Sequence, residues 1–327
     1  MTIATTRRQF ALGAAAIPFA AHRAPAEEFP TRPIRIVVGF PPGGGIDILA
    51  RLMALKMSEQ LGQPVIVENR PGANGQKATQ SVAQSDADGH TILCGTMGAL
   101  AVNQTLYAGR SGGVDMEKAF LPLSHIASLP VVLCVNSALP VRSVAELIAY
   151  AKARPRQLFF GSSGIGGLPH LCGALFNQQA GVETVHVPYA GSAPSFTDLA
   201  RGQVQFDFDA LAVALPFVQS GHIHMLAATQ ATQLKALAGV PTMQETLPDF
   251  SVANWYGMVV RAGTPPASAA RLNHAVLRAL RQPDVAARAD VLGLELVGTS
   301  AEAFGGFLHR EIVRWAEVIR AARIQVE

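Results

Sequence analysis

Three glycine-bearing segments have the residue types that bind an anion without a cationic side chain. The first reads I-V-V-G-F-P-P-G-G-G-I-D-I-L-A-R, from Ile36 to Arg51. Its β-branched run gives way to Phe40-Pro41-Pro42-Gly43-Gly44-Gly45, and apolar residues then recur at helical spacing (Ile46, Leu49, Leu52, Met53). This is a strand, a glycine turn and a helix start. The first-turn N–H groups of a helix have no partner within it, and with the positive end of the dipole they receive an anion. Glycine lets the ligand approach the backbone. The second segment is Ser162-Ser163-Gly164-Ile165-Gly166-Gly167, and the third is Tyr189-Ala190-Gly191-Ser192-Ala193-Pro194.

The same segments do not fit catalysis. Gly161-Ser162-Ser163-Gly164 is not the G-x-S-x-G elbow of a serine hydrolase. Gly72–Lys77 lacks phosphate-loop spacing. Gly164-Ile165-Gly166 is followed by Pro169 where a dinucleotide fingerprint needs its third glycine. His222-Ile223-His224 has no third partner for a metal. No carboxylate pair stands out. The sequence therefore implies no cofactor and no metal. Single side chains near the loops have two readings each. Asp47 stabilises its helix N-terminus or meets a ligand ammonium. His170 begins a helix or touches ligand, Asp209 caps a turn or reaches a cleft, and Tyr189 packs or lines one.

Elements that position such loops alternate along the chain. Strands are predicted at 34–39, 65–68, 91–95, 131–135, 158–161, 185–188, 206–209, 225–229 and 252–260. Helices are predicted at 46–61, 143–153, 170–179, from 195, at 267–281 and at 301–323. Ser143 is the N-cap of its helix, with Glu146 at the capping-box position. Alternation of this kind predicts an α/β protein with mostly parallel sheets flanked by helices. In open α/β sheets ligands bind beyond the carboxyl ends of strands, where the glycine loops lie.

Residues 1–26 read as an export signal. Thr6-Arg7-Arg8-Gln9-Phe10 precedes a short apolar run, and Ala24-Pro25-Ala26 offers a cleavage site. The motif resembles a twin-arginine signal, with the Sec route as the alternative. Cleavage after Ala26 removes Arg7, Arg8 and Arg23 and leaves 23 basic residues against 23 acidic ones. With no basic cluster, nucleic acid and anionic membrane are poor partners. A periplasmic chain of this length fits two domains. Cys94, Cys134 and Cys172 are scattered among apolar residues and read as buried free thiols, with one disulfide as the alternative.

Linked motifs now point to a family. They are F-P-P-G-G-G-x-D at 40–47, V-E-N-R-P-G-A-N-G at 67–75 and D-x-D-G-H-T-I-L-C-G at 86–95. S-V-A-E-L-I-A-Y-A-K follows at 143–152, F-G-S-S-G-I-G at 160–166 and H-V-P-Y-A-G-S-A-P at 186–194. V-P-T-M-Q-E at 240–245 and W-Y-G-M-V-V-R-A-G-T-P at 255–265 complete the series. In order and spacing the chain resembles the Bug/TctC family, periplasmic solute-binding proteins of tripartite tricarboxylate transporters. The resemblance implies a Venus-flytrap of two α/β lobes closing on a small organic carboxylate, with membrane transporter subunits as partners and a monomeric chain. It implies that the loops Phe40–Asp47 and Tyr189–Pro194 pinch a carboxyl group through backbone N–H groups and water. Ser162, Ser163 and Gly164 match a third loop at the cleft. Two positions depart from the pattern: Ile46 stands where the family has Thr or Ser, and Gly167 replaces a serine.

The resemblance and the residues together nominate Phe40, Pro42, Gly43, Gly44, Gly45, Asp47, Ser162, Ser163, Gly164, His170, Tyr189, Gly191, Ser192, Ala193 and Asp209 as ligand-binding. Lobe 1 is expected over 27–130 and 248–327, and lobe 2 over 131–247. Rival readings are a periplasmic oxidoreductase with a nucleotide cofactor and a ligand-loaded sensor for a membrane kinase.

Overall fold

The structure, a computed structural model, describes residues 29–110, 112–230, 237 and 239–326. The export segment predicted over 1–26 lies outside them. Eleven strands follow in order: β1 Ile34–Val38, β2 Val65–Asn69, β3 Thr91–Thr96, β4 Phe120–Leu129, β5 Val131–Asn136, β6 Phe159–Ser162, β7 Val185–Pro188, β8 Phe206–Ala210, β9 Ile223–Ala228, β10 Asn254–Arg261 and β11 Glu295–Leu296. They form two sheets, ordered β11-β4-β10-β3-β1-β2 and β7-β6-β8-β5-β9. Each sheet has helices on both faces, and each is the centre of a lobe.

The sheets are mixed rather than mostly parallel. Pairings within strand–helix–strand units (β1–β2, β1–β3, β6–β7, β6–β8) are parallel. Those of β10 with β3 and β4, of β11 with β4, and of β5 with β8 and β9 are antiparallel. The cause is the route of the chain. It leaves the first sheet through β4 and enters the second directly as β5, then returns as β10, which must run against its neighbours.

Strand β4 was not expected, because Pro122 interrupts it and Ser124 and His125 break its apolar run. A proline removes a ladder donor and is tolerated at bulges. Pro122 stands opposite Val259, at a shift in the β4–β10 register. Ser124 Oγ donates to the Thr299 carbonyl (2.9 Å), and His125 is buried with its ring stacked on Phe307. The helices Leu211–Gln219 and Pro283–Val291 were also unexpected.

One apolar cluster joins the lobes. It runs from Val37, Leu93 and Leu100 through Val131 and Leu133 to Phe160, Leu171 and Phe208, and includes Phe304, Leu308, Trp315 and Ile319 of the C-terminal helix Ala301–Ala321. Buried Glu311 of that helix accepts from the indole N–H of Trp255 (2.9 Å) and of Trp315 (3.1 Å). The two chain crossings between sheets meet at Thr229. Its N–H donates to Val131 O (2.9 Å), its hydroxyl to Val252 O (2.6 Å), and its carbonyl accepts from Val252 N (2.8 Å). Cys94, Cys134 and Cys172 are free and buried. Burial pushes the Cys94 thiol up to about 12, so these thiols pack as small apolar groups. No helix among the described residues is long and apolar enough to cross a membrane.

Candidate functional site

The glycine turns of both lobes face one cavity of about 310 Å³. Lobe 1 supplies Phe40, Gly44, Gly45 and Ile46 from the first turn, Asn74 from the next loop, and Thr96, Met97 and Gly98 from the end of β3. Lobe 2 supplies Ser163 and Gly166–Pro169, Ser192, and Asp209 at the end of β8. Asn254 and Tyr256 of β10 close the wall between them. Among the described residues no Lys or Arg lines this cavity.

Three helices begin here: Gly45–Leu61, Leu168–Ala180 and Ser192–Ala200. In the first, the earliest bond within the helix is Ile48 N to Gly44 O (3.0 Å), so the N–H groups of Gly45 and Ile46 at the cavity wall have no helical acceptor. In the second, the first such bond is Leu171 N to Gly167 O (3.1 Å). None of the three has a side-chain cap. A helix start with free donors and no cap is an anion site.

Gly44 sits in extended geometry (φ −75°), and a side chain there would meet only the Pro41 carbonyl at 4.0 Å. The residue itself lines the cavity. Gly43 has φ +91°, a region that other residues rarely adopt. That turn is fixed from below by Asp47, which is 2 % exposed. Its carboxylate accepts from Gly43 N (2.9 Å), Arg51 Nε (3.0 Å) and Asn69 Nδ2 (2.8 Å). Burial alone would raise the Asp47 carboxyl, but the bonds from Arg51, Gly43 and Asn69 prevail and hold it below the usual range.

The Ser162–Gly167 loop is braced from behind by two histidines. His186 Nε2 lies 2.6 Å from Ser162 Oγ, and His170 Nδ1 accepts from Gly166 N (3.1 Å). The two rings are stacked, with centroids 3.6 Å apart. Burial lowers both: His170, also beside His186, to about 3, and His186 to about 4. Both are neutral imidazoles at neutral pH.

Of the nominated residues, Phe40, Gly44, Gly45, Ser163, Ser192 and Asp209 line the cavity. Pro42, Gly43, Gly164, Gly191 and Ala193 belong to the same loops but lie off its wall. Four are turned to other work. Asp47 clamps its turn, and Ser162 is buried against His186. His170 stacks on His186 and faces a separate hollow with Ala174 and Asn177. Tyr189 gives its hydroxyl to Asp198 (3.1 Å). Asn74, Thr96–Gly98, Gly166–Pro169, Asn254 and Tyr256 also line the cavity and are not among the nominated residues. Thr96–Gly98 had a signal, since they follow the end of a strand in the same sheet.

Residues 49–324 match the tripartite tricarboxylate transporter family receptor. The chain belongs to that family. It is 35 % identical over 297 residues to the protein BugT of Bordetella pertussis, spanning 90 % of each chain. Among solved structures it is similar to R. palustris Rpa4515 with adipate, at 39 % identity and TM-score 0.75, covering 91 % of this chain and 99 % of that one. It is also similar to MatC (Rpa3494) from Rhodopseudomonas palustris with bound malate, at 31 % identity and TM-score 0.72, covering 89 % and 100 %. The family is one of solute-binding receptors with the two-lobed α/β fold described above.

Proposed function

We propose that this chain captures a small organic carboxylate in the interlobe cleft, performs no chemistry on it, and hands it to membrane subunits of a tripartite transporter. It works in the periplasm as a monomer after loss of the segment ending near Ala26. The observation that carries the reading is the convergence of three uncapped helix starts, from both lobes, on one cavity without Lys or Arg in its wall. Adipate and malate in relatives of the same fold add support and suggest a dicarboxylate. The nominated loops are its binding loops, with Gly44, Gly45, Ser163, Ser192 and Asp209 in contact with ligand and Asn74, Thr96 and Tyr256 added to them.

Micromolar capture takes about 8 kcal/mol. One helix terminus contributes about 0.3–2 kcal/mol, so several termini and cleft side chains share the load. Mass spectrometry of ligand released from gently purified protein tests the reading. A carboxylic acid is expected. A neutral sugar, or a nucleotide cofactor, would overturn it.

A further inference from the structure

Asp209 is the one acidic side chain in the cavity wall, and it is 8 % exposed. Its Oδ1 accepts from Ala210 N (2.7 Å), while its Oδ2 is buried with no hydrogen-bond partner. A buried polar oxygen without a partner is costly and calls for explanation. No Lys or Arg among the described residues lines the cavity around it, so an ionised Asp209 would have no cationic side chain beside an anionic ligand. A second carboxylate close beside it disfavours the charged form, so that one of the two is driven to hold a proton.

We propose that Asp209 is a specificity residue that binds as the neutral acid, donating an Oδ2–H bond to a carboxylate of the ligand. The inference rests on the carboxylate reading above and deepens it. No covalent bond changes. The complex holds one proton between Asp209 Oδ2 and a ligand oxygen, and where the free protein has released that proton, solvent supplies it on binding.

The surroundings support the neutral form. Asp207, two residues back on the same face of β8, is completely buried under Ser195, which donates to its Oδ2, and its Oδ1 also has no partner. Cys134 of β5 and Cys172 of Leu168–Ala180 are buried thiols within electrostatic reach, and Tyr256 of β10 lines the same cavity. Burial raises the Asp209 carboxyl and outweighs the Ser192 hydroxyl and the Ala210 N–H, which both favour the charged form. A ligand that offered an ammonium would want the opposite, an ionised Asp209.

The test is calorimetric titration of the purified protein with adipate and with malate, and with aspartate as the ammonium-bearing comparison, at about pH 6.5 and about pH 8.5, in buffers of high and low ionisation heat. Once pH exceeds the free-protein value of Asp209, affinity falls by up to about tenfold per pH unit, because each binding event takes up a proton. The expected result is weaker binding at the higher pH with up to one proton taken up per ligand. Asp209→Asn keeps the shape and a donor but cannot titrate. It is expected to bind without a pH slope or proton uptake, and more tightly than the unaltered protein at the higher pH. A flat or rising profile in the unaltered protein overturns the proposal, as does loss of binding in folded Asp209→Asn. Preference for aspartate, strengthening with pH, overturns it in favour of a carboxylate facing an ammonium. Binding of neither acid at either pH by a cooperatively melting protein overturns the carboxylate reading and this inference together. Binding with a flat profile removes only the role of Asp209.

Discussion

The cleft loops of the two lobes are held in different ways. In lobe 1 the Phe40–Gly45 turn rests on an ionised carboxylate whose oxygens are filled: Asp47 meets Gly43, Arg51 and Asn69. In lobe 2 the Ser162–Gly167 loop rests on neutral groups, the stacked pair His170 and His186. There the next strand leaves buried oxygens of Asp207 and Asp209 without partners. A satisfied network fixes geometry, whereas an unfilled one awaits a partner. Under the proposed function, lobe 1 has the generic task of presenting backbone N–H groups and lobe 2 the choice among ligands.

The comparison is most easily broken at Gly44. Gly44→Val puts a branched side chain on a residue that lines the cavity, at a φ that valine accepts. Binding is expected to weaken by at least about 100-fold, or about 2.7 kcal/mol, with an unchanged circular dichroism spectrum. Unchanged affinity in the folded variant would remove lobe 1 from the site.

Asp47→Ala asks whether that turn depends on its clamp. It leaves the Gly43 N–H and Arg51 Nε without their acceptor, while the Asn69 amide keeps only the Phe40 carbonyl (3.0 Å), and a loss of about 1–3 kcal/mol in stability is expected from denaturant titration. Affinity should fall about tenfold as the turn loosens, about 1.4 kcal/mol. A variant as stable and as tight as the parent would show that the glycine turn holds itself.

The histidine brace predicts a pH effect in lobe 2. Both imidazoles are lowered in the folded protein, so below the ordinary histidine value the unfolded chain binds more protons. Their contribution to stability is therefore complete above about pH 6.5. It is lost progressively as pH falls toward about 4 for His186 and about 3 for His170. Replacing both residues by glutamine should flatten that part of the profile of melting temperature against pH. A profile of the same slope in the double variant would place the acid sensitivity elsewhere.

What the sequence made legible follows from range. The first turn could be read because strand, glycines and helix stand next to one another in the chain. The cap of Val144–Lys152 was read for the same reason: Ser143 Oγ accepts from Glu146 N (3.2 Å), although Glu146 answers to Arg142 N (2.6 Å) instead of closing the box. Strand β4 stayed hidden because its proline is excused only by a register shift against β10, more than a hundred residues away. Asp47 and His170 have side-chain types that suit a ligand equally well, and only the placement of Asn69 and His186 shows their partners. Asn74 and Asn254 reach the cleft through the meeting of a loop and a strand far apart in the chain, which no local pattern encodes.

In the proposed function the interlobe cleft holds a small carboxylate on the backbone of both lobes. Calorimetric titration of the purified protein with adipate, malate and a neutral sugar, beside Gly44→Val, tests it most directly. The account predicts saturable binding of at least one acid near micromolar affinity, or about 8 kcal/mol, no response to the sugar, and loss of the signal in the variant. Binding of the sugar in preference to both acids, or acid binding that survives in folded Gly44→Val, would contradict it.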